Sequence, residues 1–230
     1  MSDPEIRVVE DPAGEVATLL DHAAAAGGHV ALTGGSSPRR AYEIAAERDS
    51  DWSGATAWFG DDRCVAPDHP DSNFAMADRA LLSRLSKPPS VYRMQGELGP
   101  DPAAGAYEAE VRSRLGGDPR WDLMLLGLGP DAHCASLFPG KPEVEEKARL
   151  VVGVPLAGME PQVPRVSLTL PAIDAARAVV FLVIGAGKAD IVARLFGDSP
   201  DESLPAAHVR PSAGELTVIL DEAAAEGLPS

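Results

Sequence analysis

The chain has 230 residues and a mass of 24.0 kDa, enough to bury a sizeable core without disulfide bonds. Its 20 Lys and Arg against 35 Asp and Glu give a net charge of −15, so the surface as a whole disfavours nucleic-acid and anionic-membrane partners. Two cysteines are too few for a secreted disulfide framework or a four-cysteine zinc site. The N-terminus is acidic, and no apolar run reaches the roughly 20 residues of a membrane span. We therefore expect a cytoplasmic protein.

Apolar β-rich runs alternate with amphipathic Ala/Leu-rich segments along the whole chain, which is typical of βαβ units around a mostly parallel sheet. No repeat or low-complexity linker interrupts this pattern. It predicts a single doubly wound α/β domain over residues 1–230, with helices on both faces of the sheet. The predicted strands are Ile6–Val9, His29–Thr33, Ala55–Phe59, Ser90–Met94, Asp122–Leu126, Leu150–Val154, Arg165–Leu170, Ala178–Ile184 and Glu215–Leu220. The predicted helices are Pro12–Ala26, Pro38–Arg48, Ser72–Leu85, Pro102–Leu115, a short turn after Pro171, Lys188–Phe196 and Asp221–Glu226.

Three of these helices show the same start signal, a capping side chain followed by proline at the first helical position. The pairs are Asp11-Pro12, Ser37-Pro38 and Asp101-Pro102. Ligands of an open parallel sheet bind outside the carboxyl ends of its strands, so the loops after the strands should carry the functional residues.

The first such loop reads Gly34-Gly35-Ser36-Ser37-Pro38 and leads into a helix. Glycines allow close approach of the backbone to a ligand, and a helix N-terminus offers free N–H groups with a partial positive charge, so this loop suits a phosphate. An ordinary serine-capped turn is the alternative. A nucleophilic serine is disfavoured because Pro38 stands where the G-x-S-x-G motif needs its last glycine.

A second polar loop, Asp61-Asp62-Arg63, follows the strand ending in Phe59, and Asn73 opens the next helix. Arg63 is suited to gripping an anion, with a neighbouring carboxylate to order it or to take a proton. A solvated ion-pair turn is the alternative.

The densest functional pattern is residues 121–140, WDLMLLGLGPDAHCASLFPG. An apolar strand ends there in a Gly-Pro turn that presents Asp131 and His133, a pair suited to proton transfer near neutral pH. The stretch also matches G-x-G-x-x-A, but Pro139-Gly140 interrupts the long helix that a dinucleotide site requires. Cys134 and Cys64 are interpreted as packing residues.

A last glycine-rich turn, Gly185-Ala186-Gly187-Lys188, follows the strand AVVFLVIG. A lysine at a helix start is unfavourable for the helix dipole unless an anion lies nearby, which makes Lys188 a candidate anion ligand. A solvated lysine is the alternative. The turn is no Walker loop, since Leu182 and Ala189 replace its first glycine and its Ser/Thr.

Taken in order, the blocks GGSSP, GDDRCV with DSN downstream, DLMLLGLGPDAHCASLFPG, PRVSLTLP, IGAGKAD and LPAAHV resemble the 6-phosphogluconolactonases over nearly the whole chain. The resemblance implies the α/β fold shared with glucosamine-6-phosphate deaminases and ribose-5-phosphate isomerases. It also implies hydrolysis of a sugar-phosphate lactone in the oxidative pentose phosphate pathway, with no metal or organic cofactor. His133 would be the catalytic acid/base, with Asp131 beside it. The substrate, and its phosphate in particular, would be bound by Gly34, Gly35, Ser36, Ser37, Asp61, Arg63, Asn73, Arg165 and Lys188.

The chain departs from the family pattern at two positions. Ala132 replaces the usual glycine of Asp-Gly-His, and Asp62 replaces the usual glutamate of Asp-Glu-Arg. If the glycine position has a positive φ, Ala132 is strained by roughly 1 kcal/mol or more.

Two other function classes are the rivals of lactone hydrolysis: a related sugar-phosphate isomerase or deaminase, and a non-catalytic sugar-phosphate sensor. The sequence SLFPG after His133 fits the lactonases better than the Asn-Glu-Pro continuation expected of a deaminase. The partners expected are the small sugar-phosphate lactone and, at most, further copies of the chain, as a monomer or small homo-oligomer.

Overall fold

The computed structural model describes residues 4–228. The strands within these residues are β1 (Glu5–Val8), β2 (His29–Leu32), β3 (Thr56–Phe59), β4 (Asp61–Arg63), β5 (Ser90–Val91), β6 (Leu123–Gly127), β7 (Val151–Val154), β8 (Arg165–Leu168), β9 (Ala178–Val183) and β10 (Glu215–Leu220). Seven of them form a parallel sheet in the order β1-β10-β9-β6-β2-β3-β5, and three form an antiparallel sheet in the order β4-β8-β7.

The order of the large sheet reverses between β2 and β6, which lie side by side with Val30 opposite Leu123 and Ala31 opposite Met124. From β2 the chain continues to β3 on one side, whereas from β6 it continues to β9 on the other. The loops that leave these two strands therefore diverge and open a crevice at their carboxyl ends, where doubly wound sheets bind ligands.

Helices cover both faces of the large sheet, as the sequence pattern predicts. The helices within residues 4–228 are α1 (Pro12–Ala25), α2 (Ser36–Arg48), α3 (Asn73–Ala80), α4 (Pro100–Leu115), α5 (Leu170–Asp174), α6 (Ala189–Phe196) and α7 (Glu222–Ala225). None of them is long and apolar enough to cross a membrane.

Side chains of each central strand alternate between two hydrophobic cores. On β6, Leu123 and Leu125 pack into a core with α1, α2 and α3, while Met124 and Leu126 pack into the other core with α4, α5, α6 and α7. Both faces of the strand are thus covered, which explains why it reads as a continuous apolar run. The doubly wound α/β fold is confirmed.

The small antiparallel sheet corrects the prediction in two respects. Asp61–Arg63 forms a strand rather than a loop. It pairs with the predicted strand Arg165–Leu170, which pairs on its other side with Leu150–Val154, so all three strands lie outside the parallel sheet. The cause is a turn at Gly60, whose N–H donates to Leu32 and whose carbonyl accepts from Leu168 (2.9 and 2.8 Å). This turn redirects the chain from the large sheet into the small one.

Helix starts follow the predicted caps only in part. Asp11 caps α1 by accepting from the Gly14 amide (3.0 Å), as predicted. Ser37 and Asp101 are not N-caps, because α2 and α4 begin earlier, after Gly35 and Gly99 with φ of 110° and 86°. Proline is tolerated throughout the first helical turn, since amides there have no partner within the helix. It therefore does not fix the first helical residue.

Several predicted elements are shorter in the structure, including two helices and one strand. The helix predicted over Ser72–Leu85 ends at Ala80 and is followed by a turn of 3-10 helix. The strand predicted over Ser90–Met94 pairs only at Ser90–Val91. The helix predicted from Lys188 begins as a 3-10 turn over Ala186–Lys188 and becomes α-helical at Ala189.

Gly105 offers a test of this helix packing. It is exposed in the interior of α4, and no atom lies within 4 Å of the position that a β-carbon would take. Gly105→Ala should raise the free energy of unfolding by about 0.5–1 kcal/mol, because alanine loses less backbone entropy in a helix. Denaturant titration measures the change. A loss of stability would contradict the placement of this residue on an open helix face.

Candidate active site

A cavity of about 240 Å³ opens at the carboxyl ends of β2 and β6, at the point where the strand order reverses. Its walls come from the loops after β2, β6 and β9, from β4, from the start of α3 and from the β7–β8 connection. The predicted substrate-binding residues all lie in these walls. They are Gly34, Gly35, Ser36, Ser37, Asp61, Arg63, Asn73, Arg165 and Lys188, and His133 joins them.

The loop after β2 is anchored from beneath by Tyr42 of α2. The buried Tyr42 hydroxyl accepts from the Thr33 amide and donates to the Thr33 carbonyl, both at 2.9 Å. Beyond this anchor, Ser36 and Ser37 lie in the first turn of α2 at the cavity wall. The N-cap Gly35 has no side chain that could accept hydrogen bonds from the backbone amides of this turn. This helix end is therefore suited to an anion.

His133 and Asp131 form a hydrogen-bonded pair. The Nδ1 atom of His133 lies 2.6 Å from Asp131 Oδ1, which also accepts from the His133 amide at 3.2 Å. Burial raises the pKa of Asp131, but the hydrogen bonds from His133 and the attraction of its charge together lower that pKa below the usual value. Asp131 is thus held as a carboxylate. It lies behind His133, and the imidazole faces the cavity.

The backbone around His133 is held by hydrogen bonds within its own turn. The Gly129 amide donates to the His133 carbonyl (2.8 Å), and the Ala132 amide donates to the Gly129 carbonyl (3.1 Å). Ala132 takes φ of 64° to close this turn, and Ala135 takes φ of 49°. The strain expected at Ala132 is confirmed, at a cost of roughly 1–2 kcal/mol relative to glycine.

The two aspartates of β4 have different surroundings. Asp62 accepts hydrogen bonds from the backbone amides of Asn73 and Phe74 (2.6 and 3.0 Å), which lie in the first turn of α3. Burial raises the pKa of Asp62. Asp61 lines the cavity. Within residues 4–228 neither carboxylate pairs with the Arg63 guanidinium, which donates to the Asp71 carbonyl at 2.6 Å. The prediction that a neighbouring carboxylate orders Arg63 is therefore wrong. Asp62 accepts from the start of α3, and Asp61 accepts from the side chains of Asn73 and Ser136.

Three cationic side chains line the cavity. Arg63 and Arg165 are cross-strand neighbours on β4 and β8, and the buried Arg165 donates to the carbonyls of Pro161 and Val163 (2.9 and 3.2 Å). Burial, followed by the nearby charge of Arg63, lowers the pKa of Arg165. Within residues 4–228 the Arg63 Nε has no hydrogen-bond partner. Two like charges on neighbouring strands of the cavity wall favour an anion there.

Lys188 lies on another wall, near the His133 turn. Its Nζ donates to the Leu128 carbonyl at 2.7 Å, and burial lowers its pKa despite the attraction of Asp131. Its position after β9 agrees with the expectation that the four loops meet at one sheet edge.

The remaining candidate ligands are accounted for by packing. Burial raises the pKa of Cys134 to about 12 and that of Cys64 to about 11, so both thiols stay protonated, as expected of packing residues. Across residues 4–228, no three His, Cys, Asp or Glu side chains form a group that could hold a metal ion.

Sequence reasoning missed several residues of the site, among them Met159, Phe138 and Ser136. Met159 of the β7–β8 connection lines the cavity, and Phe138 packs its ring 4.7 Å from the His133 ring. Ser136 donates to Asp61 across the cavity wall. No sequence signal marks Met159, whereas Ser136 stands out as a polar residue in the apolar stretch ASLF.

A family model described as glucosamine-6-phosphate isomerases/6-phosphogluconolactonase matches residues 5–218. The chain belongs to this family. A 6-phosphogluconolactonase of Streptomyces coelicolor is 37% identical, over 99% of this chain and 92% of that protein. The human 6-phosphogluconolactonase is 42% identical, over 74% of this chain and 67% of that protein.

Solved structures of the family are similar over the whole chain. The 6-phosphogluconolactonase from Trypanosoma cruzi has a TM-score of 0.85 and 30% identity, and covers 100% of this chain and 99% of its own. A monomeric glucosamine-6-phosphate deaminase has a TM-score of 0.82 at 17% identity, over 98% of this chain and 100% of that one. The second likeness, at this low identity, shows the fold alone.

Gly129 tests how tightly the His133–Asp131 pair is held. A β-carbon at Gly129 would overlap His133 Nδ1 and lie 2.7 Å from Asp131 Oδ1. Gly129→Ala should therefore break the hydrogen bond between the two side chains. The measurement is the low-field NMR signal of the imidazole Nδ1 proton in labelled protein, which should be lost.

Gly105→Ala is the matched control, because the same methyl group is added where no atom is close. Its spectrum should keep the signal. If Gly129→Ala also keeps the signal at its original position, the close approach described for Gly129 is wrong.

Proposed function

We propose that this protein hydrolyses 6-phospho-D-glucono-1,5-lactone to 6-phospho-D-gluconate, the second step of the oxidative pentose phosphate pathway. The observation that carries the proposal is the hydrogen-bonded His133–Asp131 pair in a cavity that three cationic side chains line. Relatives 37–42% identical that are named 6-phosphogluconolactonase support it.

His133 acts as the general base in this reaction. Because Nδ1 is engaged by Asp131 at 2.6 Å, proton transfer falls to Nε2. Nε2 takes a proton from the water that attacks the C1 carbonyl carbon, and a tetrahedral intermediate forms. The bond between C1 and the ring oxygen then breaks, and the same proton passes from the imidazolium to the ring oxygen, which becomes a hydroxyl. The products are the open-chain acid and a regenerated neutral His133.

Asp131 stabilises the imidazolium that exists between the two proton transfers. Its lowered pKa keeps it negative at neutral pH, so its charge favours the protonated ring and its oxygen fixes the ring orientation. Phe138 against the ring limits its rotation further.

The phosphate is held by Arg63, Arg165 and Lys188, with the first turn of α2 supplying N–H and hydroxyl donors from Ser36 and Ser37. The net charge of −15 does not prevent binding of a dianion, because salt screens distant charges beyond about 8 Å. Gly34 allows Asn73 to lie against the loop, since a β-carbon there would overlap the Asn73 side chain. We place the reaction in the cytoplasm, in keeping with two free cysteines.

The function is tested by following lactone opening against its spontaneous rate. The wild-type protein should accelerate it, and His133→Asn should lower turnover by about 10²–10⁴-fold, because proton transfer contributes about that much. The variant should remain folded, since His133 lies on a loop at the sheet edge. Near-wild-type turnover would place the chemistry elsewhere. Release of ammonia from glucosamine 6-phosphate by the wild type would favour a deaminase instead.

The phosphate assignment is tested by comparing phosphorylated with unphosphorylated gluconolactone. Arg63→Ala or Lys188→Ala should lower kcat/KM for the phosphorylated lactone by about 10- to 150-fold, the value of a charge-assisted hydrogen bond. The unphosphorylated lactone should be little affected. The double variant should lose less than the sum of the two, because both residues bind one group.

Arg112→Ala is the control for the loss of one positive charge, since Arg112 is exposed on α4 and pairs with Glu108. This variant should leave the preference for phosphorylated over unphosphorylated gluconolactone unchanged. If Arg63→Ala or Lys188→Ala slows both lactones equally, that residue serves the reaction centre or the fold and not the phosphate.

A further inference from the structure

Asp61 presents a carboxylate to the cavity although the proposed substrate is itself an anion. The residue is only 5% exposed, and its carboxylate accepts hydrogen bonds from two neutral side chains. Ser136 Oγ donates to Oδ2 at 2.6 Å, and Asn73 Nδ2 donates to Oδ1 at 3.0 Å. A carboxylate repels a phosphate dianion, so the phosphate cannot be the group that Asp61 contacts.

The two hydrogen bonds leave acceptor capacity on this carboxylate. A carboxylate has about four lone-pair positions, and the two side-chain donors use one on each oxygen. The groups that can fill the remaining positions from the cavity are hydrogen-bond donors without negative charge. On a sugar lactone these are the ring hydroxyls, whereas the phosphate dianion has no proton to donate.

Ser136 determines how this carboxylate is oriented. It is fully buried, and it belongs to the same loop as His133, three residues further along the chain. Its amide donates to Ser167 Oγ at 3.0 Å, which holds the Ser136 backbone to β8. Its hydroxyl donates to one oxygen of the Asp61 carboxylate, and the Asn73 side chain donates to the other. With both oxygens engaged, the carboxylate cannot rotate about its Cβ–Cγ bond without losing a hydrogen bond.

We propose that Ser136 is a positioning residue that fixes the Asp61 carboxylate as the acceptor for one ring hydroxyl of the lactone. This inference rests on the proposed function for the identity of the sugar. Since Ser136 and His133 share one loop, the hydrogen bond also sets the hydroxyl-binding group relative to the catalytic base. The substrate is then oriented by two separate groups, its phosphate and one ring hydroxyl.

The test compares the parent lactone 6-phosphate with its 2-, 3- and 4-deoxy analogues. Ser136→Ala should lower kcat/KM for the parent by about 10- to 100-fold, because a hydrogen bond to a charged group is lost. For the one analogue that lacks the recognised hydroxyl, wild type and variant should have the same kcat/KM. Asp61→Asn should show the same dependence on the same hydroxyl. A constant factor for all four lactones in both variants would overturn the proposal.

Ser72→Ala is the matched control. The buried Ser72 hydroxyl donates to the neighbouring carboxylate Asp62 at 3.1 Å, but neither residue lines the cavity. This variant should lower the thermal midpoint, because Ser72 caps α3, and should leave kcat/KM unchanged below the unfolding transition. If Ser72→Ala gives the same hydroxyl-dependent loss as Ser136→Ala, the effect is general to the fold and the proposal is wrong.

Calorimetric titration with 6-phosphogluconate separates this inference from the proposed function. If the wild-type protein binds the product but opens no lactone, the proposed hydrolysis is contradicted. The hydroxyl site is then tested by comparing binding affinities for the product and its deoxy analogues. In that case Ser136→Ala should weaken the binding of 6-phosphogluconate by about 10-fold or more. It should leave the binding of the deoxy product that lacks the recognised hydroxyl unchanged. Equal weakening of both would overturn the inference, whatever the result for turnover.

Discussion

The adjacency of β2 and β6 is the constraint on which the site depends. Their pairing places two glycine-rich loops side by side at one edge of the sheet, and their onward connections diverge so that a crevice remains between them. One loop contributes a helix N-terminus for an anion and the other contributes the His133 turn. The turn at Gly60 then brings the small sheet across the crevice, adding Asp61, Arg63 and Arg165. Two sheets thus contribute different chemistry to one cavity.

Much of the fold and most of the site follow from the sequence, because both depend on local patterns. Buried parallel strands are continuous apolar runs, and the residues directly after them must meet at one edge, so the convergence of Ser36, His133 and Lys188 was predictable. The pairing partners of the strands, in contrast, do not follow from local patterns. The runs in Leu150–Val154 and Arg165–Leu170 predict strands but carry no signal of which sheet they join, since pairing is decided by a turn far away in the chain. Ser136 was missed for the same reason: its partner Asp61 lies 75 residues earlier.

The His133 turn shows how a site tolerates a locally unfavourable residue. Ala132 carries a left-handed backbone that glycine adopts at lower cost, yet the hydrogen bonds of Gly129 and the donation of the Ala206 amide to the Ala132 carbonyl (3.1 Å) hold it there. The surrounding structure over-determines the turn, so an alanine takes the left-handed backbone at this position. The glycine that the geometry does require is Gly129, where a side chain would meet the imidazole.

The neighbouring guanidinium groups of Arg63 and Arg165 would link binding of the proposed phosphate ligand to the stability of the whole fold. Their mutual repulsion acts between β4 and β8, the strands that hold the small sheet together. In the phosphate site that we propose, an anion between them would replace repulsion with attraction in the folded protein, and the unfolded chain has no comparable site. A bound anion would then raise the free energy of unfolding by RT ln(1 + [L]/Kd), so the resistance of this protein to unfolding would depend on the concentration of that anion.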